Sequence, residues 1–138
     1  MIDPLSASLI AASSGLETQS QRMRIISQNL ANANSTGKTP GADPYARKTV
    51  TFAEVVDIES GARQAKVSRI GIDTAPFRVE FRPDHPAADQ KGYVKFSNVN
   101  PIIEIADMQD TARIYEADLQ VIKQTKQMFS MLAELIRK

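Results

Sequence analysis

The chain has 138 residues, of which 42% are hydrophobic and 24% charged, and a net charge of +1. The charge does not separate along it (residues 1–34 carry 0, residues 35–100 +2 and residues 101–138 −1), so no basic face for nucleic acid or an anionic membrane is implied. Cysteine is absent, which excludes disulfides and thiolate metal sites; no window approaches the roughly 18 apolar residues of a membrane span, and no cleavable signal peptide is expected.

The first predicted element is a helix. Asp3 is placed to cap its free N–H groups and Pro4 suits its first position, where no donor is needed. It is expected to run to about Ala33. Its residues keep a seven-residue beat: Ile2, Leu9, Leu16, Met23 and Leu30 on one row, with Leu5, Ala12, Gln19, Ile26 and Ala33 on a companion row. That pattern describes a coiled-coil seam rather than an ordinary surface helix. Gly15, beside Ser13 and Ser14, weakens the helix by about 1 kcal/mol and admits another backbone closely, so a tight crossing or a bend is expected there.

The helix ends in an asparagine-rich stretch, Gln28-Asn29-Leu30-Ala31-Asn32-Ala33-Asn34, followed by Ser35-Thr36-Gly37. Asparagine is a poor interior helix residue because its amide competes for backbone hydrogen bonds. Two readings stand side by side. In one, the helix frays and Asn34 or Gly37 takes a left-handed cap. In the other, the amides make directional bonds that fix the register of packed helices.

Residues 35–44 have loop composition. Strands are predicted over Lys48–Ile58, Ala65–Ile72, Phe77–Arg82 and Tyr93–Phe96. The third alternates strictly, with Phe77, Val79 and Phe81 on one face and Arg78, Glu80 and Arg82 on the other. The single histidine, His85, lies between Asp84 and Pro86 in a proline-rich turn. No nucleophile accompanies it, and it reads as a turn residue packing on a neighbour. Neither a phosphate loop nor a ligand cluster is present, so no catalytic, cofactor or metal residues are expected.

Asn100 and Pro101 repeat the capped opening and begin a second long helix. Glu104, Asp107 and Asp110 lie near its positive end and Arg137 and Lys138 at its negative end. Its apolar rows run through Ile105, Met108, Ala112, Tyr115, Leu119, Ile122, Lys126, Phe129, Ala133 and Ile136. Val121, Met128, Leu132 and Leu135 add a second stripe. One partner helix cannot cover both. A helix deep in a monomer's core is one reading; because the chain has little other material to bury it, packing between molecules is the expectation.

Ser14-Gly15-Leu16 and the segment from Gln28 to Gly37 resemble the N-terminal signature of bacterial flagellar axial proteins. Ser97-Asn98-Val99-Asn100-Pro101, continuing through Met108, Arg113 and Tyr115-Glu116-Ala117 to Ile122, is similar to its C-terminal half. Asp84-His85-Pro86-Ala87-Ala88-Asp89 and Gly92-Tyr93-Val94 between them, with the short middle, resemble the flagellar basal-body rod family and most of all its proximal rod members. Asp118 departs from the usual asparagine of the signature, and Ser97 from the more frequent proline.

The resemblance implies a structural subunit of the rod, the drive shaft that crosses the periplasm. Its fold would be mainly α with a small β-rich middle, its terminal helices packing as a coiled coil within a helical assembly. The segments are 1–34, 35–100 and 101–138: an axial helix, a loop with the β-rich middle, and a second axial helix. Such a subunit leaves the cell interior unfolded through the flagellar type III export apparatus. Its partners are itself and other rod proteins, with the export gate or adaptor and the surrounding rings as further neighbours; neither nucleic acid nor membrane insertion is expected. The assembly interface expected on the first helix is Leu9, Leu16, Met23, Ile26 and Leu30 with the amides of Asn29, Asn32 and Asn34. On the second it is Met108, Tyr115, Leu119, Ile122, Met128, Phe129 and Leu132. The rival from another class is a coiled-coil adaptor or export chaperone that never polymerises.

Overall fold

A computed structural model describes residues 3–137; Ile2, which opens one heptad row, and Lys138 lie outside the described residues. The element order is α1 (Pro4–Ala31), β1 (Lys48–Val56), β2 (Arg63–Ile72), β3 (Arg78–Phe81), β4 (Tyr93–Phe96) and α2 (Pro101–Arg137). Both helices start as their sequences dictate. Ser6 N–H donates to Asp3 Oδ2 at 3.2 Å and Ala7 N–H to the Asp3 carbonyl at 2.9 Å. At α2, Ile102 N–H donates to Asn100 Oδ1 at 3.0 Å, and Pro101 occupies the first helical position. The helices hold 28 and 37 residues, about 42 and 55 Å at 1.5 Å per residue.

Four strands form two separate two-stranded sheets, β1–β2 and β3–β4. By contacts the described chain divides into two compact units. Unit 1 holds α1 up to Met23, the hairpin segment Thr51–Arg69, and α2 from Gln109 on. Unit 2 holds Arg24–Val50 and Ile70–Met108.

In unit 1, α1 and α2 meet where α1 is smallest. A Cβ added at Gly15 would lie 2.4 Å from Asp118 Oδ2, so a larger residue would have to displace the Asp118 carboxylate; this is the close crossing that the Ser-Ser-Gly cluster predicts. The hairpin is tied to the same stretch of α1. Ala65 N–H donates to Ser14 Oγ at 3.0 Å, and the Arg22 guanidinium lies 5.9 Å from the Phe52 ring centroid.

In unit 2, β3 and β4 pair antiparallel, with Arg78 opposite Phe96, Glu80 opposite Val94 and Phe81 opposite Tyr93. Val94, Phe96 and Ala87 form the buried cluster. The alternation of β3 holds, but its orientation is the reverse of the usual one. The charged face lies over the core, with Arg78 and Arg82 stacked 5.0 and 5.4 Å from the Phe96 centroid, while Val79 and Phe81 face outward and are exposed. Both arginines keep half or more of their side-chain surface in water (50% and 58%), so they cover Phe96 from outside while pairing with Glu80 at 3.2 and 2.9 Å. Gly92, at φ +84°, closes the turn into β4, where a Cβ would stand 2.9 Å from the Phe81 ring. His85 is a turn residue: its Nδ1 accepts from Ala87 N–H at 3.1 Å and its ring packs edge-on against Phe96.

Phe96 thus joins the apolar cluster to both arginines. Phe96→Ala is expected to cost about 3–4 kcal/mol and to expose the amides of β3 and β4 to hydrogen exchange. Unchanged protection factors on those strands would contradict this account of the unit.

Candidate functional site

The Asn-rich end of α1 resolves into distinct roles. Asn29, 1% exposed, uses its whole amide. Its Nδ2 donates to the Lys48 carbonyl at 2.9 Å and to Glu104 Oε2 at 3.0 Å. Its Oδ1 accepts from the Tyr45 hydroxyl at 2.8 Å and from Lys48 N–H at 2.9 Å. The directional reading therefore holds for Asn29, which ties α1 to the first turns of α2. Asn32 bonds only its own helix, donating to the Gln28 carbonyl at 2.8 Å, and Asn34 is exposed. The left-handed cap does not form: among the described residues positive φ occurs only at Gly41, Gly61 and Gly92.

Glu104 is 0% exposed and is held from a second side by Arg47, whose Nε donates to Oε1. Arg47 also faces Asp73 and Asp107, each at 3.6 Å, and its backbone N–H donates to Asn98 Oδ1 at 2.7 Å. A buried carboxylate with a guanidinium and an amide on its two oxygens is compensated; stripped of either it would be expensive. Burial, and after it the Glu104 charge, push the Tyr45 phenol above its ordinary pKa, which keeps it protonated as the donor to Asn29.

Glu104 opens a row that the apolar pattern of α2 conceals. Thr111 and Thr125 are also buried and Asp118 is half-buried; the four residues are spaced by seven. They sit one position before Ile105, Ala112, Leu119 and Lys126, so the face α2 buries within the subunit is turned by about 100° from the predicted row. On α1 the buried positions are Ala12, Thr18, Ile25, Ile26 and Asn29, three of the five small or polar. Sequence reasoning missed this row because polar residues leave no trace in a hydrophobic period; only the repeat of Thr and carboxylate at seven residues could have disclosed it.

The expected interface residues divide by helix. On α1, Ile26 is buried and Leu9, Leu16, Met23 and Leu30 are half-buried. On α2, Met108, Tyr115 and Ile122 are half-buried, whereas Leu119, Met128, Phe129 and Leu132 are exposed. Ile102, Ile103, Ile105, Ile114, Val121, Met131, Leu135 and Ile136 are exposed as well. Uncovered apolar surface on this scale is the general mark of association surfaces. Among the described residues no group of three or more His, Asp or Glu side chains could hold a metal ion, and no helix is long and apolar enough to cross a membrane.

Comparison with known proteins places this arrangement. Residues 9–37 match the family model described as flagella basal body rod protein. Residues 90–135 match that of the flagellar basal body rod FlgEFG protein C-terminal region. The flagellar basal-body rod protein FlgC of Agrobacterium fabrum is 52% identical over 136 residues, 99% of this chain and 98% of the relative. The FlgC proteins of Borreliella burgdorferi and Salmonella typhimurium are each 37% identical, over 91% and 85% of this chain and 93% and 87% of their own lengths.

Two substitutions probe the buried polar groups. Asn29→Ala removes the partners of Glu104 Oε2, the Tyr45 hydroxyl and both backbone groups of Lys48; at roughly 1–3 kcal/mol for each stranded group, eased by entering water, the expected loss is about 3 kcal/mol, read from urea denaturation of the assembled protein. A loss below about 1 kcal/mol would show that the amide is not a structural hub. Burial raises the pKa of Asp118. Its contribution to stability is therefore full in acid and is lost as pH rises from the ordinary carboxylate range through the folded-state value. Asp118→Asn should raise the thermal midpoint of the assembled protein at neutral pH, and the gain should vanish in acid. An equal gain at both pH values would rule out titration as its source.

Proposed function

From the membership of this chain in the FlgC family of flagellar basal-body rod proteins, which makes it a structural subunit of the proximal rod, we propose that it polymerises through its terminal helices into the periplasmic drive shaft. The observation that carries this reading is the inversion on α2: the row it buries within the subunit is polar, while Leu119, Met128, Phe129 and Leu132 stand exposed. An isolated helix of this kind is marginal and gains most of its stability when neighbours cover its apolar face. Leu9, Leu16, Met23, Ile26 and Leu30, with Met108, Tyr115 and Ile122, complete the packing within and between subunits.

Torque then passes through packed side chains, with no catalytic step. The neighbours are further copies and other rod proteins, with the export gate or adaptor and the surrounding rings at the margins of the assembly. The subunit reaches its place unfolded, through the flagellar type III apparatus. A chain that leaves many of its large apolar residues exposed in the single subunit suits that route, since the free subunit holds only small buried clusters to unravel.

Leu16→Asp or Ile122→Asp should abolish motility with expression unchanged, because a carboxylate buried without a partner costs several kcal/mol, on the order of 3–5. A fully motile strain carrying either would refute the packing scheme. The purified subunit at low concentration should be weakly helical and expanded, gaining circular-dichroism signal on assembly with rod partners. A compact oligomer of fixed size that melts cooperatively would favour the non-polymerising adaptor instead.

A further inference from the structure

The turn between β1 and β2 carries Ile58 at 99% exposure, yet the turn is built firmly. Asp57 Oδ1 accepts from Glu59 N–H at 2.9 Å and Ser60 N–H at 2.8 Å. Gly61 N–H donates to the Asp57 carbonyl at 2.7 Å, and Asp57 N–H to the Ala62 carbonyl at 2.9 Å. Gly61 takes φ +70°, and Ala62 beside it is buried. Ile58 is therefore held out by an ordered turn, so little freedom remains to be lost when it is covered. Val55 and Val56 continue the exposed apolar surface along β1. The rim is acidic: Glu54, Asp57 and Glu59 lie within six residues with no cation among them. Arg63 pairs with Glu54 at 3.2 Å and the Lys66 charge reaches Asp57, so three carboxylates face two cations and the rim stays net acidic. Hydrogen bonds from the backbone and side chain of Ser60, ahead of Lys66, hold the Asp57 carboxyl below its ordinary range, so Asp57 stays charged.

The complementary surface is on the last turns of α2. Met128, Met131, Leu132 and Leu135 are exposed there. Lys123, Lys126 and Arg137 outnumber the one carboxylate, Glu134. A shallow groove runs between Lys126, Gln127, Ser130, Met131 and Glu134. Methionines adapt their shape to an incoming aliphatic side chain.

We propose that the Ile58 turn of one subunit docks onto the C-terminal turns of α2 in a second copy of this chain. Opposite net charge around two apolar patches selects this pairing over turn against turn or helix end against helix end. The exposure of Ile58 means that the contact is not made within one subunit. Two different patches meeting form a head-to-tail contact, which propagates as an open helical array rather than closing as a two-fold dimer. The inference rests on the rod reading above and assigns to it one specific contact between copies.

The chain has no cysteine, so paired cysteines report the contact directly. Basal bodies are isolated from cells whose only copy of the protein carries both Ile58→Cys and Met131→Cys, and are oxidised. The expected result is a ladder of disulfide-linked multimers, with none from either single variant. Reversal of the rim by Asp57→Lys with Glu59→Lys should lower swimming speed or the swimming fraction by about tenfold, and adding Lys123→Glu with Lys126→Glu should restore most of it. Basal bodies that contain the doubly substituted chain but yield no ladder, or a reversed rim that swims normally, would overturn the contact while leaving the rod reading intact. Absence of the unsubstituted chain from basal bodies would overturn both.

Discussion

A glutamate with no exposed surface must be given partners by the fold, and at Glu104 they are the Asn29 amide and the Arg47 guanidinium. Much of unit 2 follows from that requirement. Asn29 can reach Glu104 only from the last turn of α1, and Arg47 only if the loop after α1 returns to α2. The same amide receives the Tyr45 hydroxyl and both backbone groups of Lys48, so the start of β1 is positioned by the group that satisfies the carboxylate. Asn98 extends the system, its side chain accepting from Arg47 N–H and donating to the carbonyls of Asp73 and Ala75. A half-satisfied version would be worse than an apolar core; the network holds because every member is answered.

The same economy of apolar surface explains the faces of α2. Within the subunit the helix buries Glu104, Thr111, Asp118 and Thr125 wholly or in part, groups that contribute little hydrophobic free energy when covered. The side chains that would contribute most are left outside. A monomer that placed them inside would be more stable alone and less able to join a rod. On the proposed packing, such an arrangement moves the stabilising burial from folding to assembly. The Gly15–Asp118 crossing fits this pattern: it brings two helices close through a small residue and a carboxylate raised in pKa by burial, a contact chosen for closeness rather than strength.

The sheets show a milder form of the same inversion. β3 turns Arg78 and Glu80 toward Val94 and Phe96 and leaves Val79 and Phe81 outside. An alternating strand states that two faces exist but not which lies inward. The arginines can take the inner face because their flat guanidinium groups stack on Phe96 and pair with Glu80.

Much of the architecture was legible in the sequence by itself. The two helices, their starts at Asp3-Pro4 and Asn100-Pro101, the strands within a few residues and the close approach at Gly15 all follow from period, capping chemistry and side-chain size. These are local properties, written within a few residues of where they act. The resemblance to flagellar rod proteins rested on motifs of the same local kind. The tertiary structure decided which face of each element lies inward, because that depends on partners distant in the chain: Asn29 and Glu104 are separated by 75 positions. It also decided that Asn29 alone among the three asparagines bridges the helices, and that on α2 a polar row of seven-residue spacing lies inward, with Met108, Tyr115 and Ile122 half-buried beside it and Leu119, Met128, Phe129 and Leu132 left outside. Hydrophobic patterning marks residues that must be covered somewhere, and in a subunit made for assembly the cover comes from other molecules.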